Sequence, residues 1–196
     1  VDFGDTHTSK RERVLPSRAL VSLLSVPRLL PPRFTAGLMI RGAVFQRPLV
    51  FEQVRVTTPL TLSDSYIGQD AVYRPYTGRN PDGDNETWQG GPGGLSVNIA
   101  ASVFEGSLTI GEDTVLSGRM KVSNSTFQQL LFRDAVVKGE LELWRVQSDL
   151  LGLYKTAFEH GMYSVDNLLG AVQVSQAEFN GNLVLNSNRI DGRFWF

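Results

Sequence analysis

Apolar residues recur along the chain in short alternating units. Leu38/Ile40, Leu49/Phe51, Leu60/Leu62, Leu95/Val97, Leu108/Ile110, Met120/Val122, Leu130/Phe132, Leu141/Leu143, Leu151/Leu153, Tyr163/Val165, Val172/Val174, Leu183/Leu185 and Phe194/Phe196 each flank one intervening residue. That is the strand period of two, where a helix would need spacings of three and four. First positions of successive units stand mostly 10 to 12 residues apart; the step from Leu60 to Leu95 is the exception. A further bulky residue precedes most units: Phe45, Val56, Phe104, Leu116, Val137, Phe179, Ile190. Glycine stands two before the first apolar position at 106, 118, 139, 161, 170, 181 and 192.

Very short strands, polar corners such as Ser123-Asn124 and Asp134, and a fixed interval predict an all-β fold, a β-helix (solenoid). A two-sheet sandwich would need longer strands joined by hairpin signals, which are scarce here. The stretch Gly106–Phe127 then reads as about one coil rather than a hairpin. Its twelve-residue step predicts an extra corner residue within Glu112–Thr114.

Two segments break the period. Residues 14–30, VLPSRALVSLLSVPRLL, predict the one helix, with Ser17 as N-cap, Ala19, Leu20, Leu23 and Leu24 as its apolar face, and Pro27 as its stop. Its expected role is to cap the first coil, since an open solenoid end exposes apolar surface and strand edges. Residues 71–94, AVYRPYTGRNPDGDNETWQGGPGG, predict a loop inserted in one coil. Its Tyr73, Arg74, Tyr76, Arg79 and Trp88 are candidate partner contacts. The expected organisation is a tail and capping helix over 1–33 and one solenoid domain over 34–196.

The units VFEGSLTI, VVKGELEL, EFNGNLVL and RIDGRFWF resemble those of the divergent bacterial pentapeptide-repeat proteins. The upstream SRALVSLL and FTAGLMIRGAVFQRPLVF are similar to the opening of a subset of that group. The resemblance covers 34–70 and 95–196, and it implies a right-handed, four-sided β-helix. The period here drifts between 10 and 12, so a coil of about 20–23 residues is expected, two units to each.

Composition narrows the function classes. Apolar content of 41% and charged content of 20% suit a folded globular chain. The absence of cysteine removes disulfides and thiolate metal sites. Net charge is −1, too small to attract nucleic acid or, as some pentapeptide-repeat proteins do, to imitate it. Residues 1–47 carry eight Lys/Arg against three Asp/Glu, and 95–196 carry eight against eleven. A basic N-terminus with Arg11, Arg13, Arg18, Arg28 and Arg33 gives a membrane-peripheral alternative.

Catalytic candidates are thin. His7 and His160 have no nucleophile at a meaningful spacing. Gly90-Gly91-Pro92-Gly93-Gly94 lacks the Lys-Ser/Thr and helix of a phosphate loop. Asp82, Asp84 and Glu86 alternate as in calcium loops, without the remaining ligand positions. The carboxylates Glu112, Asp113, Asp134, Glu140, Glu142 and Asp149 carry the carbohydrate-active alternative, because β-helix hydrolases cluster such groups on one face. The expectation is a non-enzymatic scaffold or protein-interaction module with no cofactor and no metal, cytoplasmic or membrane-peripheral. The chain starts at Val1 and ends at Phe194-Trp195-Phe196 inside an apolar pattern. It is therefore expected to be a fragment, with further coils or end-to-end self-association at that edge.

Overall fold

The computed structural model describes residues 14–26, 37–68 and 94–196. It is a parallel β-solenoid with one short helix, α1 (Ser17–Ser25), at its start. The first coil contains β1 (Leu38–Arg41), β2 (Val44–Phe45) and β3 (Leu49–Glu52). The second contains β4 (Arg55–Val56), β5 (Leu60–Ser63), β6 (Tyr66–Ile67) and β7 (Leu95–Ala100). Three regular coils follow: β8 (Val103–Ile110), β9 (Val115–Leu116) and β10 (Arg119–Ser123); β11 (Thr126–Arg133), β12 (Val136–Val137) and β13 (Leu141–Trp144); β14 (Gln147–Tyr154), β15 (Ala157–Phe158) and β16 (Gly161–Val165). The sixth coil is β17 (Leu168–Ser175), β18 (Glu178–Phe179) and β19 (Asn182–Asn186). A seventh begins with β20 (Arg189–Ile190) and β21 (Phe194–Trp195).

The coils stack their strands into three parallel sheets. The first sheet runs β1-β5-β8-β11-β14-β17-β20, with β4 on β8 and β21 on β17; the second joins β2 to β18; the third joins β3 to β19. The long strands of the first sheet bend in the middle, so they form two walls. In the second coil and the last these walls are separate strands, β4 and β5, then β20 and β21. The cross-section therefore has four short walls. Partners on adjacent uninterrupted coils are 21 to 23 residues apart, as Leu130↔Leu151 and Val97↔Met120 show. At about 4.8 Å per coil, the stack is roughly 30 Å long.

The corners explain the period. Gly42, Asp64, Asp113, Asp134, Lys155 and Gln176 form one column of positive φ; Gln53, Ala101, Asn124, Arg145, Asp166 and Ser187 form another. A left-handed residue turns the chain through a corner without a long loop. After each comes an inward residue, often small or polar: Ser65, Thr114 and Thr156 in one column, Ser102, Ser125 and Asn167 in the other, all buried. The extra residue expected in Glu112–Thr114 is present. Ile110 to Leu116 is one residue longer than Phe132 to Val137, and Thr114 N–H closes the turn onto Gly111 O at 3.1 Å.

Inside, like residues stack on like. Phe104 lies on Phe127 with ring centres 4.9 Å apart, and Phe158 on Phe179 at 5.0 Å. Each fully buried Leu or Phe contributes on the order of 1.5–3 kcal/mol through removal from water. Outside, ion pairs join neighbouring coils: Arg41–Asp64, Arg55–Glu105, Arg119–Glu142 at 2.9 Å and Lys155–Asp134 at 3.9 Å. Being exposed or half-exposed, each adds at most about 1 kcal/mol.

Four local expectations are corrected. Ser17 is not the N-cap: Pro16 holds that position, and the Ser17 hydroxyl donates to Arg47 O at 2.6 Å, tying the helix to the first coil. Helix α1 is also shorter than 14–30, and only Leu20 and Leu24 of its expected apolar face are fully buried; Ala19 is exposed. It does cap the first coil, since both leucines join the core. The inward residues of β7 are Val97 and Ile99, not Leu95 and Val97, because Ser96 is a β-bulge that flips the alternation. In β16 they are Met162 and Ser164, not Tyr163 and Val165. There His160 occupies the place of the repeat glycine, and Gly161, with φ of 99°, follows one residue late.

Candidate interaction surface

Among the described residues, the core is covered at the first coil and exposed at the last. At the first coil, α1 lays Leu20 and Leu24 on it, and Val14 bridges to Val44 of β2. In the last described coils several inward-pointing residues have no described layer over them. Leu183 is 40% exposed, Leu185 52%, Phe194 46% and Phe196 83%. The counterparts of Leu183 and Leu185 five coils earlier, Leu49 and Phe51, expose 1% each.

These side chains ring a cavity of about 230 Å³ whose floor is Leu151, Met162 and Leu169. One side of the mouth is polar and ordered. Asn167 is buried: its Oδ1 accepts from Val146 N–H at 2.6 Å, and its Nδ2 donates to Leu143 O and to Ser164 Oγ. Asn188 repeats the arrangement one coil on. Its Oδ1 accepts from Asn167 N–H at 3.1 Å, and its Nδ2 donates to Ser164 O at 2.8 Å. The rim carries both signs, Glu178 and Asp191 against Arg189 and Arg193, with Arg189 Nε donating to Asp191 at 2.6 Å.

The backbone is as available as the side chains. Strands β18 and β19 each close a six-stranded sheet at its last edge. One side of each strand pairs with the previous coil, and the other side presents unpaired N–H and C=O groups. Such an edge is a template for another strand. The opposite edge of the third sheet, β3, lies against α1.

The loop residues Tyr73, Arg74, Tyr76, Arg79 and Trp88 lie outside the described residues, as do Arg11, Arg13, Arg28 and Arg33. Arg18 is exposed on α1. The buried face of that helix, which a membrane-peripheral role would turn to lipid, rests on the first coil. Among the described residues, no helix is long and apolar enough to cross a membrane.

The candidate carboxylates do not converge. Asp113 and Asp134 sit on one corner column, and Glu140 and Glu142 stand beside and on the third sheet. Asp149 is exposed on the first sheet. Glu142 is held by Arg119, and Asp134 stands near Lys155. His160 is exposed at a corner. Among the described residues, no three His, Asp or Glu side chains gather as a metal site. The sequence reading marked the apolar end as an open edge but did not single out Leu183, Leu185, Glu178 or Arg189 as contact residues. The class these features define is a parallel β-solenoid with one short helix packed on its first coil. No protein-family model, curated protein or solved structure matches the chain.

Proposed function

We propose that the chain is a non-enzymatic scaffold that holds a protein partner on its open last coil. One observation supports this reading: among the described residues, the last coil exposes leucine and phenylalanine beside two strands, β18 and β19, that pair on one side only. Apolar surface of that kind marks an interaction face. The edges supply backbone hydrogen bonds, and the mouth supplies pockets for alternate side chains, the two requirements of strand addition. The stack behind it is stiff, because each coil is bonded to its neighbours on every wall, so the face is held in one geometry.

A photo-crosslinking residue placed at Leu185, in cells producing the chain, tests this reading. Adducts to protein are expected from position 185 and not from Val50, which is exposed on the outer side of β3. If position 185 captures no more protein than position 50, the open end is not a binding face.

A further inference from the structure

The strands of the second sheet are short, and each sends one side chain in and one out. The inward residues Phe45, Ile67, Leu116, Val137 and Phe158 are fully buried. Their outward neighbours Val44, Tyr66, Val115, Val136 and Ala157 stand in register from coil to coil, all partly exposed. Val14 extends this apolar stripe by its bridge to Val44. The outer column of the third sheet, by contrast, is polar in its middle, with Asn98, Lys121 and Glu142 in register. Parallel sheets are normally covered on both faces. We infer that two copies of the chain pair side by side through the second sheet, their stacks pointing the same way about a twofold axis along the stripe. This contact is built from the outer wall and does not depend on the partner proposed for the last coil.

The charges beside the stripe choose the orientation. Asp134 stands two residues before Val136, and Lys138 two after it. One coil on, the signs reverse: Lys155 precedes Ala157, and Glu159 follows it. Asp134 and Lys155 share the left-handed corner column. Lys138 and Glu159 continue the ladder on the other flank, donating to Leu116 O at 2.9 Å and Val137 O at 3.0 Å.

A twofold axis along the stack exchanges the two flanks and keeps each coil level with its own copy. It sets each Asp134 opposite the second copy's Lys138, and each Lys155 opposite its Glu159. On the other coils no like charges face each other across the flanks: Asp64 comes opposite Gly68, and Asp113 opposite Ser117. The stripe meets itself, Val115 on Val115 and Val136 on Val136. Glu178 follows Ala157 in the column and ends the apolar run; it is exposed, so two such carboxylates can turn apart into water. Reversed stacks would pair the same charges, Asp134 with Lys155 and Lys138 with Glu159. They would bring only Val136 and Ala157 into apolar contact among the described residues, and would lay Glu178 on Val115.

The stripe is about 20 Å long at 4.8 Å per coil, and the wall is narrow. So small a contact gives a weak, reversible dimer. Its ion pairs, at the rim, set direction and register more than strength. The contact is isologous, so each copy's wall is used up by the other, and it closes at two.

Sedimentation velocity of the purified 196-residue chain, carried to high concentration, gives the test. A reversible monomer–dimer equilibrium is expected. Val136→Lys puts like charges on the axis and weakens the dimer about tenfold or more; circular dichroism confirms that its fold is kept. Lys138→Glu and Asp134→Lys each weaken self-association. Lysine is tolerated at the second position, because Lys155 takes the same dihedral one coil on. The equimolar mixture of these two variants regains the dimer: it sets the two substituted positions against each other at one contact and the native pair at the other. Reversed stacks give no such rescue. A wild-type chain that stays monomeric at every concentration overturns the inference. So does a dimer indifferent to V136K, or a mixture no better than its components.

Discussion

At the residue scale, the buried corner amide Asn167 stands out. It completes bonds for Val146 N–H, Leu143 O and Ser164 Oγ at once. The same corner position one coil earlier is Val146, so volume alone does not demand a polar residue. Asn167→Val is expected to destabilise the chain by about 2–3 kcal/mol, because it leaves a buried N–H and C=O without partners. Chemical denaturation monitored by circular dichroism measures that loss. The polar corners were visible in the sequence as Ser, Asn and Asp between apolar units. Their direction was not. Ser125 and Asn167 look inward while Asn124 and Asp166, one residue earlier, take the left-handed turn. Composition cannot separate those roles; a backbone dihedral does.

At the scale of the element, glycine keeps adjacent coils close. A Cβ on Gly170 would meet the carbonyl oxygen of Asp149 at 2.6 Å. A backbone atom cannot move aside as a side-chain tip can, so Gly170→Ala is expected to cost about 1–3 kcal/mol. Thermal unfolding checks this; a variant as stable as the parent would show that the coils can slide apart there. Glycine spacing made most of the register legible, and it also misled. The rule of an apolar residue two positions after glycine holds at Gly118, Gly139 and Gly181 but fails at Gly161, which stands one residue late. The other slip, at β7, follows from a single bulged serine whose hydroxyl accepts from Gly118 N–H and donates to Ile67 O. A one-residue slip reverses every side chain of a strand, which is what happened at β16; at β7 the bulge displaced only Leu95, and Val97 kept its inward place.

For the whole molecule, α1 covers the apolar surface of the first coil with Leu20 and Leu24. Removing residues 1–26 would uncover that surface, and light scattering of such a chain is expected to show more association than the intact chain does. The solenoid itself was readable from periodicity because every coil repeats one short pattern. The open end was only half readable. An alternating apolar unit says which way side chains point, not whether another layer covers them, so Leu183/Leu185 and Leu141/Leu143 look alike in sequence and differ entirely in exposure.

Amide hydrogen exchange of the 196-residue chain tests the central claim, a stack of coils hydrogen-bonded on every wall, most directly. The account predicts slow exchange throughout the central strand β13, which pairs on both sides, and faster exchange for those amides of Asn182–Asn186 that point away from β16. Exchange in β13 as fast as in β19 would contradict it.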